Sequence, residues 1–219
     1  MATKRTYGEG CGISHALDLV GERWALLVVR ELALGGKRFT DLRDGLPGIG
    51  TNVLATRLRQ LEADGVVAKL RLAPPAATTV YVLTEYGQRL VPAMLALGRW
   101  GAASMGLRSE TQSVRSEWLA VALRAFFQPD EAFDLAATIE LNLPGGPFSL
   151  RIHHGTLHVA AGVTADADLR LTTDEEALIA FLSGESVPTD ALGPSGDTTL
   201  LERLPDVFAF SVGELSPRT

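Results

Sequence analysis

The sequence predicts an α+β chain in two parts: helices carrying a single β-hairpin come first, and an antiparallel sheet with covering helices follows. Three observations predict it. Apolar residues recur at helical spacing through the first hundred or so positions, broken by one pair of β-branched runs, and beyond Pro129 the period changes to alternation. Charge divides in the same way. The 219 residues are 46% hydrophobic and 21% charged, with a formal net charge of −6. Positions 1–105 hold thirteen Lys and Arg against nine Asp and Glu, a net of +4, whereas positions 106–219 hold seven against seventeen, a net of −10. The predicted domains are 1–106 and 113–213, separated by the polar stretch Gly106 to Gln112. Taken alone, −6 argues against a nucleic-acid partner, because phosphate binding depends on Lys and Arg displacing counterions. The local +4 reverses that inference for the first half.

Cys11 is the only cysteine, so no intrachain disulfide can form, and a reducing compartment, the cytoplasm, is expected. The N-terminus lacks an apolar signal core, and no apolar run approaches the roughly 20 residues that span a bilayer. Neither secretion nor a membrane partner is expected.

Element by element, Ser14 to Val20 reads as a short helix. Glu22 to Leu34, apolar on nearly all sides around Trp24, Leu27, Val28 and Leu32, reads as a buried one. Gly35 and Gly36 end it, and Thr40 is placed to cap a short helix through Leu46. Pro47-Gly48-Ile49-Gly50 is a turn, and Thr51 caps the next helix, which runs to Asp64 and stops at Gly65. On that helix Leu54, Leu58 and Leu61 form one buried stripe, with Asn52, Thr56, Arg59 and Ala63 opposite and Gln60 flanking. Such a polar, lightly basic face suits the major groove: Asn and Gln pair with adenine edges, Arg with guanine, and a Thr methyl meets thymine. An ordinary solvated face would look the same in isolation. Val66 to Leu72 and Val80 to Thr84 form a hairpin around Ala73-Pro74-Pro75-Ala76-Ala77-Thr78-Thr79, a wing on which Lys69 and Arg71 share one face and can reach phosphate. Thr84 then caps a long helix through Leu90, Met94, Leu97 and Trp100.

These residues carry a resemblance. Cys11, Asp18, Gly21-Glu22-Arg23-Trp24, Gly36-Lys37-Arg38-Phe39-Thr40-Asp41-Leu42, Pro47-Gly48-Ile49, Leu54, Arg57-Leu58, Leu61 to Val66, Tyr81 to Gly87 and Trp100-Gly101 resemble the HxlR-type winged helix-turn-helix regulators. The resemblance implies a homodimer whose recognition helices enter successive major grooves of a pseudo-palindromic operator. Its first helix and the long helix from Glu85 to Met105 would form the dimer surfaces. The candidate DNA contacts are Arg38, Thr51, Asn52, Thr56, Arg57, Arg59, Gln60, Lys69 and Arg71. The sequence departs from the family pattern at Gly12, in the wing tip and in its long C-terminal half. Some family members sense oxidants through a cysteine placed like Cys11, which makes it a candidate redox residue. Only His15 lies at helical spacing from it, and a structural cysteine is the alternative.

In the second half, Ser113 to Phe127 reads as an amphipathic helix. Strands follow around Ile139-Leu143, Phe148-Ile152, Leu157-Val159 and Leu169-Leu171, each with one dry face, and His154-Gly155 is a hairpin turn. Helices from Thr173 or Asp174 to Leu182 and from Thr198 to about Leu204 would cover that face. With Leu169 to Glu175, Leu182 to Glu185 and Leu200 to Leu204, this arrangement resembles the sterol carrier protein-type fold, which implies a tunnel for a small hydrophobic ligand. Candidate wall residues are Phe127, Phe133, Ile139, Leu141, Leu150, Ile152, Leu178, Phe181, Leu182, Leu204 and Phe208, although plain core packing uses the same residues at the same spacing. His153, His154 and His158 lack a convergent ligand set, so no metal is expected. No cofactor is expected, and no nucleophile elbow, phosphate loop or Cys-x-x-Cys pair supports an enzyme. The reading is a DNA-binding transcription regulator, a repressor modulated by an apolar ligand. The alternatives are a redox-responsive regulator acting through Cys11 and a lipid- or metabolite-binding protein that uses the winged helix only to dimerise.

Overall fold

The leucine stripe of the fourth helix is where the N-terminal core closes. A computed structural model describes residues 6–105 and 114–210, in which the chain divides into two compact units, Met1–Met94 and Leu95–Thr219. The predicted separator, Gly106 to Gln112, and the domain limits at 106, 113 and 213 lie outside the described residues. Within the first unit the helices are α1 (Gly12–Val20), α2 (Ala25–Leu32), α3 (Phe39–Gly45) and α4 (Thr51–Ala63). The hairpin β1 (Val67–Arg71) and β2 (Thr79–Leu83) follows, and then α5 (Glu85–Ala103), inside which the two units divide. Leu54, Leu58 and Leu61 of α4 are almost wholly buried, as are Val28, Val29 and Leu32 of α2 and Leu42 of α3. Deleting any one of these leucine side chains would cost about 2–5 kcal/mol.

Several boundaries differ from the expectation, each for a local reason. α2 starts at Ala25 rather than Glu22, because Trp24 takes a left-handed backbone conformation (φ 77°) that no right-handed helix accommodates. α3 begins at Phe39, and the group that satisfies its entry is Asp41, not Thr40: the Arg38 N–H donates to the Asp41 carboxylate at 3.0 Å. Gly50, not Thr51, is the residue before α4. Thr84 does cap α5, accepting from the Gly87 N–H at 3.0 Å while its hydroxyl donates to the Gly65 carbonyl at 2.6 Å. Lys37 adds a third strand position to the hairpin by exchanging two backbone hydrogen bonds with Tyr81.

That exchange is fixed from below by an acid. Glu31 on α2 is only 3% exposed, and its two oxygens each take a cation at 2.8 Å, Arg30 on one and Lys37 on the other. A Cβ at position 45 would collide with this carboxylate, so Gly45 leaves the space it occupies.

The second unit has α6 (Ser116–Phe126), a five-stranded sheet and a set of short helices. The strands are β3 (Ala137–Leu143), β4 (Gly146–His153), β5 (Thr156–Ala161), β6 (Leu169–Thr172) and β7 (Ser195–Gly196), in the order β5-β4-β3-β6-β7. His154 and Gly155 both have positive φ, which matches a two-residue hairpin turn. α7 (Glu175–Leu182) is capped by Asp174, which accepts from the Ala177 N–H at 2.8 Å. After α8 (Thr189–Leu192), a 3₁₀ turn, Thr198–Arg203, runs into α9 (Leu204–Val207) where one helix was expected.

One prediction needs correction: the sheet is mixed, not antiparallel. β3 and β6 run parallel, with Ile139 opposite Leu169 and Leu141 opposite Leu171. Alternation identifies a strand but carries no direction. The direction is set by the segment 162–168, which returns from the end of β5 to the start of β6. Three strand spacings of about 4.8 Å must be crossed, and seven residues at roughly 3.3 Å each suffice without a helix. The Thr164 N–H of this segment donates at 2.8 Å to Glu140 on the central strand. Glu140, at an expected solvent-facing position, is therefore buried.

Candidate nucleic-acid interface

Opposite its leucine stripe α4 presents Asn52, Thr56 and Arg59, with Gln60 flanking them and Thr51 at the first position of the helix, all exposed. Arg59 is held along the helix surface, donating to the Ala55 carbonyl at 3.3 Å and to the Thr56 hydroxyl at 3.1 Å. Its guanidinium is thereby ordered one turn from Asn52 and keeps further N–H groups for an acceptor. Val53 also belongs to this exposed surface, at 44%. Sequence reasoning omitted it because an apolar residue on a helix is first assigned to a core. Its position in the 100° rotation, beside Gln60 rather than Leu54, was the available signal.

Arg57 behaves differently from the exposed cations among which it was placed. Its side chain is 12% exposed and points across the unit, donating to Gln60 Oε1 at 2.7 Å and to Glu22 Oε2 at 3.4 Å. Its Nε is buried without a hydrogen-bond partner. This arginine joins the turn after α1 to α4 and contacts Gln60; its guanidinium is not presented to solvent as the others are. On the hairpin, Lys69 pairs with Glu62 at 2.7 Å and lies 5.6 Å above the Tyr81 ring, and the Glu62 carboxylate raises its pKa. Arg71, paired in register with Thr79, is exposed, as is Arg38 at the entry to α3. The structure thus gathers Arg38, Thr51, Asn52, Thr56, Arg59, Gln60 and Arg71 as exposed groups of one unit, with Lys69 exposed but paired and Arg57 drawn inward.

Cys11 occupies the position before α1 and is exposed. The Ser14 and Ile13 backbone N–H groups, with the Ser14 hydroxyl, lower the pKa of its thiol, as unpaired donors of a first helical turn do for a thiolate. Nearby, α1 and α5 enclose a groove of ≈ 220 Å³ lined by His15, Leu19, Val20, Tyr86 and Leu90 among others. Ile13 and Leu17 of α1 and Tyr86 of α5 stand exposed.

In the second unit the candidate ligand residues separate. Ile139, Leu141, Leu150, Ile152, Leu178, Leu182, Leu204 and Phe208 are buried together with the sheet, and Phe127 and Phe181 are half-buried. Phe127 and Phe208 contact each other with ring centroids 5.8 Å apart. Phe133 departs from the set: it is 66% exposed, beside His154 at 6.2 Å. His153, His154 and His158 are exposed. Among the described residues no three His, Cys, Asp or Glu side chains converge as metal ligands, and no helix is long and apolar enough to cross a membrane.

Residues 19–109 match the profile of the HxlR-like helix-turn-helix. The HTH-type transcriptional regulator YybR of Bacillus subtilis is 35% identical over 113 residues, 51% of this chain and 86% of that protein. This chain belongs to the HxlR-like helix-turn-helix family. An HTH-type transcriptional regulator of Synechocystis is 37% identical over 95 residues, covering 43% of this chain and 70% of its own length. Among solved structures, the redox regulator HypR in its oxidised form is 32% identical over 44% of this chain and 100% of its own, with a TM-score of 0.41. As an HxlR-like protein the chain is an HTH-type transcriptional regulator and binds DNA. α3, α4 and the hairpin fall inside the matched residues, while the sheet of the second unit lies beyond them.

Proposed function

We propose that the chain is a homodimeric transcriptional repressor of the cytoplasm that reads a pseudo-palindromic operator through α4 and responds to a small hydrophobic ligand held by its C-terminal unit. The observation that carries this reading is the division of α4 into a buried leucine stripe and an opposite face of Asn52, Thr56, Arg59 and Gln60. Each good bidentate pair to a base edge discriminates by about 1–3 kcal/mol, roughly 5- to 150-fold. Titration of the protein against its own promoter by mobility shift is expected to show that loss for Asn52→Ala and for Arg59→Ala. Unchanged specific binding by both variants would remove α4 as the reader.

Exposed Ile13, Leu17 and Tyr86 beside the α1–α5 groove support a dimer surface on those helices. The burial of Ile139, Leu141, Leu150 and Ile152 on the strands and of Leu178, Leu182 and Leu204 on the helices that follow supports the sterol carrier protein-like reading of the second unit. A ligand there can change DNA affinity only by preferring one dimer geometry over another. Native mass spectrometry of freshly purified protein is expected to report two subunits and added apolar mass.

A second reading, in which Cys11 makes the regulator redox-responsive, is favoured by its exposure at the start of α1 and its lowered pKa. It predicts that oxidant releases the wild-type protein from DNA and leaves Cys11→Ser bound; release of both would refute it.

A further inference from the structure

We propose that Val53 reads a thymine: its isopropyl group packs against the C5-methyl of one thymine in each half-site. The inference rests on the reading that α4 enters the major groove. Val53 is the third residue of α4, and a recognition helix presents its N-terminal residues to the base edges. At 100° per residue it lies about 20° from Gln60 and about 60° from Thr56, at the edge of the exposed face and about 80° from Leu61, the nearest of the buried leucines. These three leucines are buried to within 1% while Val53 stays 44% exposed.

A single exposed apolar residue is ordinary on a protein surface, but the surroundings of this one are not. The other exposed side chains of the first two turns of α4 are all hydrogen-bonding ones, Thr51, Asn52 and Thr56. Gly50, directly before the helix, has no side chain to cover the valine, and even a Cβ there would only just reach it, at 3.9 Å. Valine is also a poorer helix former than the Lys, Arg, Glu and Gln that commonly fill solvent faces. Of the four bases only thymine offers a methyl group in the major groove, and its partner adenine offers the N6/N7 edge that an Asn side chain matches. Asn52 and Val53, adjacent on the chain, thus supply the two chemistries that one or two A·T pairs present.

The test uses the full-length protein and an operator selected by it from a random duplex pool. Each thymine is replaced in turn by deoxyuridine, which removes the methyl and nothing else, and affinity is measured for the wild type and for Val53→Ala. Removing one buried methyl from the contact corresponds to about a fourfold loss. At one position per half-site the wild type is expected to lose about three- to fivefold, whereas Val53→Ala binds the thymine and deoxyuridine duplexes equally. Alanine is the better helix former, so the variant is expected to melt no lower than the wild type. The proposal is overturned if no replacement weakens the wild type, or if every loss persists unchanged in Val53→Ala. A pool that yields no preferred site overturns both this and the reading of α4. Weakened Asn52→Ala and Arg59→Ala proteins with no coupling at Val53 overturn the methyl contact alone.

Discussion

Among the described residues each unit buries one carboxylate beside a connection, and the two are held by opposite means. Glu31, in the first unit, takes two full cations, Arg30 and Lys37, each at 2.8 Å. Glu140, in the second, takes the Thr164 N–H at 2.8 Å and the Asn142 amide at 3.3 Å, with Arg170 more distant at 3.6 Å. The first arrangement fixes a cation: Lys37 is drawn from the surface and its backbone is set against Tyr81, which positions the hairpin next to α4. The second fixes a loop, the segment 162–168 that lets β6 run parallel to β3. Charge in the DNA-binding unit is thus committed partly to architecture, and only the remainder is offered to a partner. In the acidic unit the buried carboxylate serves the sheet alone.

The largest effect is expected at Glu31. Glu31→Ala removes the anion from between two cations and is expected to cost about 3 kcal/mol, the low end for breaking a buried pair, because Arg30 and Lys37 each keep about a fifth of their exposure. Chemical denaturation measures it. Specific DNA affinity should fall together with stability, since the Lys37–Tyr81 exchange loosens; a variant as stable as the wild type would show that the cations, not the acid, set this region.

A smaller effect is expected at Glu140, and it depends on pH. The Thr164 N–H, followed by Asn142 and Arg170, lowers the pKa of Glu140 below its ordinary 4.5. A carboxylate with a lowered folded pKa stabilises fully above its unfolded pKa, and that contribution is lost as pH falls through the folded value. Melting temperature followed from pH 7 to pH 3 should therefore decline less steeply for Glu140→Gln than for the wild type, with the variant lower at pH 7. Parallel declines would assign the acid sensitivity elsewhere.

Local sequence pattern encodes some of these features and not others. The Leu54-Leu58-Leu61 stripe and the face opposite it were legible because helical period encodes burial directly. Arg57 was not, since the partner that turns it inward, Glu22, lies 35 residues away and no local pattern announces the pair. Trp24 gave no sign of its left-handed backbone. In the second unit, strand positions were legible from alternation, whereas the parallel pairing and the burial of Glu140 follow from a loop crossing that alternation does not encode. Phe133 shows the converse limit: hydrophobicity placed it among the wall residues, and the structure leaves it largely in solvent.

The exposed face of α4 carries the proposed DNA reading, and a ratio of affinities tests it most directly. Affinity for a selected operator is measured against affinity for a scrambled duplex of the same length, across a range of salt, for the wild type and an Asn52→Ala/Arg59→Ala double variant. Specific regulators typically exceed their non-specific binding by at least about 10³-fold, and the non-specific part is salt-dependent phosphate contact. The prediction is a wild-type ratio of that order, falling about a hundredfold or more in the double variant while its melting temperature and its scrambled-duplex affinity stay close to those of the wild type. A double variant that keeps the wild-type ratio would contradict the assignment of α4 as the reading helix.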